Sequence, residues 1–411
     1  MSDPEIPGRL PVAEARSRIV EWCRRRAMPA ERVALDRALG RVAAVDMSAP
    51  DDVPSFVNSA MDGYAIRFAD LTSSAETRLR VSGVLLAGAG KAPTIAAGEC
   101  LRITTGAPLP AGADTVVIKE RVRLEGDHVL VPAGECVGAN VRRAGEDYRK
   151  GDIAIGSGRR LNPVHLGVLA SFGCTEVLVS RTPRVALFSS GDELVAPDQA
   201  PGFGQIHDSN RYSLAALLRQ GGIEPARLGH LADDIASMRD ALLDAAADCD
   251  VIVTCGGVSA GEADFMPRLV RETGRIHFWK VRIKPGMPML FGEISGTPVF
   301  ALPGNPVSAI VTFLVLVRPG LAALQGVMDA PRTWHARLVT ALGKTHSRTE
   351  YLRARLESRE DGGLWAAPFD KQGSGMQRGA AEADCLIVVP ERTRTLAAGA
   401  VVEILPLPGL C

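Results

Sequence analysis

The sequence predicts a multidomain α/β protein: an open α/β domain, a β-rich domain inserted upstream of it, a helical N-terminal domain and a small C-terminal β barrel. Three observations carry this. Between 182 and 317 a short apolar run, a Gly- or Pro-containing loop and a helical pattern recur three times, in RVALFSSGDEL, DVIVTCGGVSAGEADF and TPVFALPGNPVSAIVTFL. Such short, unbroken, β-branched runs are expected of central parallel strands covered on both faces. From 79 to 155 short β-type runs alternate with turns such as APLPAGAD, and after Pro331 the chain becomes β-type again to its end.

Taken in order, Pro11 opens a helical pattern in which Val12, Ala15, Ile19 and Cys23 share one face, with Glu21 and the arginines 24–26 on the polar side. An all-β unit follows, with runs at 79–86, 99–104, 115–120, 128–131 and 152–155. Residues 162–172 are helical again. In the α/β stretch, HDSNRYSLAALLRQGG reads as a helix for which Asp208, Ser209 and Asn210 supply capping oxygens and Gly221 is the stop. Right-handed crossovers place the glycine-rich loops at the carboxyl ends of the strands, the usual position of a ligand crevice. The last runs, at 334–340, 350–357, 364–368, 385–389 and 401–405, fit a small barrel.

Composition narrows the function. Lys plus Arg and Asp plus Glu each total 47, so the formal net charge is zero and there is no global field for nucleic acid or an anionic membrane. Any anion needs a local site. Eight scattered cysteines show no CxxC pair, which argues against structural zinc or a disulfide framework and for a reducing cytoplasm. The N-terminus MSDPEIPGRL has no signal-peptide character, and the most apolar stretch, 309–317, reads as a buried helix too short to span a bilayer. A soluble, cytoplasmic protein is expected.

The segment from Thr254 to Asp264 is the most informative for chemistry. Gly256 and Gly257, directly after a strand, let backbone N–H groups approach an anion without Cβ interference. Ser259 can cap the next helix or donate to a phosphate, and Asp264 adds a carboxylate. Alone, such a turn serves tight packing equally well. In FWKVRIKPG, Lys280, Arg282 and Lys284 alternate, so one extended strand would project all three to one side. Three like charges on one face suit solvent or an anion. Pro303-Gly-Asn-Pro306 ends another strand and opens a helix, so two turns and a basic strand converge. Carboxylates recur in turn motifs: Asp62, Asp147, Glu193, Asp233 and Asp234. Singly these are turn formers. With the lysines they describe a mixed-sign site suited to a polyanion bridged by a hard divalent cation. GxxxxGK[ST] and, in the α/β stretch, GxGxxG are absent, and the seven histidines show no HxxxH spacing.

In their order, PSFVNSAMDGYAIR, ITTGAPLPAGADTVV, ANVRRAGEDYRKGD, LFSSGDEL, IHDSNRYSL, TCGGVSAGEADF, FWKVRIKPGMPMLFG and ALPGNPVSA resemble the molybdopterin molybdenumtransferase family, relatives of the C-terminal domain of gephyrin. The resemblance implies a helical domain from 1–50 and 148–181, a β-rich domain at 51–147, a molybdopterin-binding α/β domain at 182–328 and a barrel at 329–411. It also implies an elongated homodimer whose active cleft joins the α/β domain of one subunit to the inserted domain of the other. By position, Asp62, Thr105, Arg142 and Asp147 match the cleft residues of the inserted domain. Glu193, Asp233, Asp264, Lys280, Lys284, Pro303 and Pro306 match those of the α/β domain, and Ser374 matches a serine of the C-terminal domain. The expected substrates are molybdate and adenylylated molybdopterin, with Mg²⁺ supported by Asp233 and Asp264. Arg142 and the two lysines would hold the anions, with Gly256, Gly257 and Ser259 donating to them. Val57 and Met287 depart from the family pattern, each removing a charge near the cleft. The molybdopterin adenylyltransferase of the same pathway and a non-catalytic scaffold are the alternatives, and the partners the resemblance implies are the molybdopterin adenylyltransferase and molybdoenzymes.

Overall fold

The computed structural model describes residues 9–258, 265–328 and 333–407. The chain divides into two compact units. One is drawn from Met1–Ala44, Gly158–Asn162 and Glu176–Cys411, the other from Val45–Ser157 and Pro163–Thr175.

The larger unit is built on a six-stranded sheet in the order Arg227–Leu231, Val185–Ser190, Val251–Cys255, Thr297–Leu302, Leu290–Ile294 and Gly274–Trp279. The first four strands are parallel and the last two antiparallel. Val185–Ser190 and Val251–Cys255 are buried throughout, which is why these runs show no polar alternation. Their odd and even residues feed two cores. Val185, Leu187, Val251 and Val253 pack with the helices Val12–Arg24 and Asn210–Gln220 and with the apolar helix after Pro306. Ala186, Phe188 and Ile252 pack with Ile235–Asp248 and Met266–Thr273. Each fully buried Leu, Ile or Phe contributes roughly 1.5–3 kcal/mol.

Three sequence expectations change here. The helix after Pro306 continues through a π-type turn at Phe313–Val317 to Leu324. At 19 residues and a mean hydropathy of 2.0 it is long enough to span a bilayer, so 309–317 understated it, but 78% of it is buried in the unit. Gly320 lets this helix and the N-terminal helix approach, since a Cβ there would lie 2.8 Å from Ile19 Cγ2. The edge strand Arg227–Leu231, with its Gly and His, gives no apolar run and was not foreseen. Of the three capping residues proposed, only Asp208 caps: its Oδ1 accepts from Arg211 N at 3.1 Å, whereas Ser209 makes no side-chain cap and Asn210 donates to Gly304 O instead.

The barrel is closed. Thr349–Ser358, Leu364–Pro368, Trp334–Leu338, Val401–Pro406 and Cys385–Val389 pair in a ring, the last strand returning to the first. Its core is Ala336, Leu338, Ala354, Ala366, Cys385, Ile387, Val402 and Ile404. Ile283–Lys284 joins it as an extra strand parallel to Thr349–Ser358. An antiparallel ribbon, Ala30–Ala34 with Glu176–Ser180, lies in a region read as helical.

In the second unit the six-stranded order is Thr115–Ile118, Gly63–Ile66, Glu99–Ile103, Thr77–Leu85, His128–Val131 and Arg123–Glu125. Tyr64, Ile66, Leu79, Cys100, Val117, Val129 and Val131 form one core, and Ala65, Leu85, Ile103, Ala107 and Val116 the other. Ile153–Ile155 pairs with Met47–Ser48 rather than with this sheet. Pro163–Ser171 is the helix expected near 162–172.

Candidate functional site

In the larger unit the site grows from the carboxyl ends of the parallel strands. Gly256 follows Val251–Cys255 with φ +110° and Gly257 has φ +60°. A Cβ on Gly256 would lie 2.4 Å from Ser190 O and 2.7 Å from Ser190 Oγ, so only glycine permits this turn beside the neighbouring strand. Gly256 N donates to Leu302 O at 3.0 Å, joining the turn to the end of the next strand. There Pro303 O accepts from Cys255 Sγ at 3.2 Å, and Asn210 Nδ2 donates to Gly304 O at 2.6 Å. Pro306 starts the following helix. Ser374 O accepts from Val307 N at 3.1 Å, so a loop of the barrel sits on the first turn of that helix. Ser190 Oγ and Thr254 Oγ1, on adjacent strands, are buried without a hydrogen-bond partner among the described residues. Sequence reasoning did not single out either hydroxyl, although both lie near the carboxyl ends of buried strands.

The carboxylates cluster at the neighbouring strand end. Asp192 Oδ1 accepts from Asp233 N at 3.0 Å and Asp233 Oδ2 from Asp192 N at 3.3 Å, a reciprocal pair. Asp234 caps the helix Ile235–Asp248 by accepting from Ser237 N at 2.8 Å, and the Ser237 hydroxyl, then its backbone N–H, lower its pKa. Glu193 is exposed, with its carboxylate curled over Gly191. Ser259 and Asp264 lie outside the described residues. Among the described residues no group of three or more His, Cys, Asp or Glu converges to hold a metal ion.

The basic segment is not one extended strand. Gly274–Trp279 ends in the α/β sheet, Lys280 has φ +73°, and Ile283–Lys284 pairs with the barrel. The expected single face of three charges is therefore replaced by three separate settings. Lys280 Nζ lies 4.4 Å from the Trp279 ring centroid, a cation–π contact, and has no ion-pair partner among the described residues. Trp279 Nε1 donates to Val258 O at 3.2 Å, which seats this ring and Lys280 beside the glycine turn. Arg282 pairs with Glu391 at 3.2 Å, and Lys284 Nζ with Glu350 Oε1 at 2.8 Å. Leaving a sheet at 279 and joining another at 283 requires a backbone reversal that alternation in sequence cannot reveal.

Arg353 is a second residue the sequence reading missed. It is 1% exposed, and its guanidinium donates to the carbonyls of Lys371, Gly373 and Met376 while its Nε meets Gln372 Oε1. The loop carrying Ser374 is thus folded around one arginine, whose burial lowers its pKa. An arginine on a barrel strand followed about 20 residues on by a Gly-rich loop has no distinctive local pattern.

In the second unit, Asp62 Oδ1 accepts from Thr105 N and Thr105 Oγ1, both at 2.9 Å, and Lys119 Nζ lies 3.4 Å from Oδ2. The backbone bond from Thr105, then its hydroxyl, then Lys119 hold this carboxyl below its usual pKa. Arg142 is the register partner of Asn58, and Asp147 N donates to Val53 O at 3.0 Å. The side chains of Arg142 and Asp147 are exposed and have no hydrogen bond or ion pair among the described residues. Val57 is also exposed. A concavity of about 420 Å³ beside Ser17, Val20, Glu21, Arg24 and Arg25 contains none of these residues. Chemistry, not cavity size, locates the site.

Models of known families match the chain in three consecutive segments. Residues 10–173 match the MoeA N-terminal region (domain I and II), 186–323 a probable molybdopterin binding domain, and 335–407 the MoeA C-terminal region (domain IV). The chain is 38% identical over 378 residues to a molybdopterin molybdenumtransferase of Haemophilus influenzae, covering 90% of this chain and 92% of that protein. It is 35% identical to one from Nostoc over 92% of this chain and 89% of that protein. A crystal structure of the molybdopterin biosynthesis MoeA protein of Pyrococcus horikoshii superposes with TM-score 0.84 at 28% identity, covering 97% of this chain and all of the other.

Proposed function

Because the chain belongs to the molybdopterin molybdenumtransferase family, we propose that it places molybdate on the dithiolene of adenylylated molybdopterin and releases AMP. The observation that carries the reading is the seating of Lys280 beside the glycine turn through Trp279 and Val258, with the Pro303–Pro306 turn and the Ser374 loop at the same carboxyl end of the strands. Those groups answer what the reaction needs. Both substrates are anionic, and the dithiolene sulfurs exchange with molybdenum oxygens without a covalent enzyme intermediate. The protein's part is therefore to position the anions and neutralise their charge. The backbone N–H of Gly257 and the Ser190 hydroxyl, which has no partner among the described residues, are neutral donors for phosphate oxygens. Lys280 and Lys284 supply charge, and Glu193 and Asp233 orient polar groups of the pterin.

Water cleaves the phosphoanhydride, with AMP as leaving group. Asp62, Thr105, Arg142 and Asp147 belong to the same reading as the complement supplied by a second copy, so the functional species is a homodimer with shared clefts. The unpartnered charges of Arg142 and Asp147 support this. Seven free cysteines among the described residues support a reducing, cytoplasmic setting.

Magnesium dependence belongs to the proposal too, but the described residues do not by themselves form a site for the ion. Asp233 offers one carboxylate oxygen beyond its bond to Asp192, and Asp264 lies outside them. No step is assigned to it. Removal with a chelator followed by Mg²⁺ addition, read as AMP release, checks the dependence.

The test is turnover of adenylylated molybdopterin with molybdate, followed by AMP release. Lys280→Met is expected to lower the rate at least about 100-fold, the scale of losing a positioned charge. Full turnover by that variant would remove the role given to Lys280.

A further inference from the structure

We propose that Glu350, on the barrel strand Thr349–Ser358, is the positioning residue of Lys284, fixing its ammonium for a bound oxyanion. The inference rests on the assignment of Lys284 as an anion-binding residue. The backbone brings the two together: Ile283–Lys284 is parallel to the barrel strand, with Lys284 opposite Glu350. The side chains then close at 2.8 Å.

The pair is asymmetric. The Glu350 side chain is 8% exposed and that of Lys284 is 42% exposed, so the acid is rooted in the protein while the amine reaches out. An ammonium has three N–H donors, and one spent on Glu350 leaves two for an anion. A lysine on its flexible four-carbon stem loses rotamer freedom on binding, and an anchored carboxylate makes that loss part of folding instead.

The surroundings suit this role better than a simple surface pair. The second carboxylate oxygen lies 3.3 Å from His346 Nε2. Lys344, buried and bonded to the carbonyls of Arg348, Pro390 and Glu391, also feels the charge of Glu350. One buried acid thus contacts both Lys284 and His346, and its charge offsets the repulsion between the Lys284 and Lys344 ammonium groups. The cluster keeps a positive margin on the Lys284 side, as an oxyanion requires.

The full-length protein tests this with Glu350→Gln, Glu350→Asp, Lys284→Ala and the double variant Lys284→Ala/Glu350→Gln. AMP release, the KM for molybdate and thermal unfolding are read for each. Glu350→Gln is expected to lower kcat/KM about 10- to 100-fold, through whichever parameter Lys284→Ala changes, and to be no worse than Lys284→Ala when combined with it. Glu350→Asp, one methylene shorter with the charge kept, is expected to restore part of the loss. If Glu350→Gln does not fold, Glu350→Asp carries the test: its loss of about 3- to 10-fold should vanish in the Lys284→Ala background. Multiplicative losses in the double variant, or Glu350→Gln with wild-type turnover while Lys284→Ala is impaired, overturn the proposal and leave the anion site intact. Full activity in Lys284→Ala instead removes the underlying assignment.

Discussion

Asp62 and His277 show how individual environments set testable chemistry. Asp62 keeps its charge through two bonds from Thr105 and a lysine at 3.4 Å, all at the surface. Asp62→Asn is expected to cut AMP release at least about tenfold, because a charged acceptor becomes a neutral one, while unfolding shifts little at so exposed a site. Parallel turnover and urea titrations check both. His277 packs against Trp22 and Phe291, and burial lowers its pKa, with Glu293 opposing and Arg275 and Arg26 reinforcing. The folded chain therefore resists a proton that the unfolded chain accepts. Stability contributed by neutral His277 is complete above the unfolded value of about 6.5 and is lost as pH falls from there toward the lower folded value. His346, also depressed by burial, adds a slope of the same sign. Replacing His277 by Phe should flatten the fall in stability between about pH 7 and pH 5, measured by urea unfolding at each pH.

Elements carry a different kind of dependence. The Gly256 turn combines φ +110° with a backbone oxygen where a Cβ would go. Gly256→Ala should cost about 1–3 kcal/mol of stability, strain the Gly256 N–H bond to Leu302 O and displace the adjacent Gly257 N–H meant for phosphate. Denaturant unfolding and AMP release should both fall, and an alanine variant of normal stability would contradict the geometry. The Ser374 loop depends on Arg353 in the same way. Arg353→Met leaves the carbonyls of Lys371, Gly373 and Met376 without a buried donor and should cost on the order of 3 kcal/mol. Most strands were legible because burial writes itself into sequence as unbroken or alternating apolar runs: His128–Val131, Leu364–Pro368 and Cys385–Val389 match their predicted bounds. The reversal at Lys280 was not legible, because its cause is the pairing of Ile283–Lys284 with a strand about 65 residues away in sequence.

For the whole molecule, the decisive question is whether two copies complete a site. Lys280→Met and Asp62→Ala variants, each inactive alone, should recover about one quarter of wild-type AMP release when unfolded together and refolded as mixed dimers. No recovery, with dimers formed, would place all catalytic residues within one chain. The long apolar helix matters at this scale as well. Its length and hydropathy suit a bilayer, yet 78% of it is covered by the unit's own side chains. Burial by neighbours, which depends on the entire packing, separates a core helix from a spanning one.

The sequence by itself determined the class of the α/β and C-terminal regions, the glycine turn after a central strand and the residue types available to bind anions. These follow from side-chain periodicity and from glycine's access to positive φ, both local properties. Only the tertiary structure decided that Lys280 and Lys284 serve different sheets, that Glu350 and Arg353 anchor site elements from the barrel, and that Ser190 and Thr254 carry hydroxyls with no partner among the described residues. Each arises where strands distant in sequence meet, and the free energy that fixes them comes from pairing and burial rather than from any short segment.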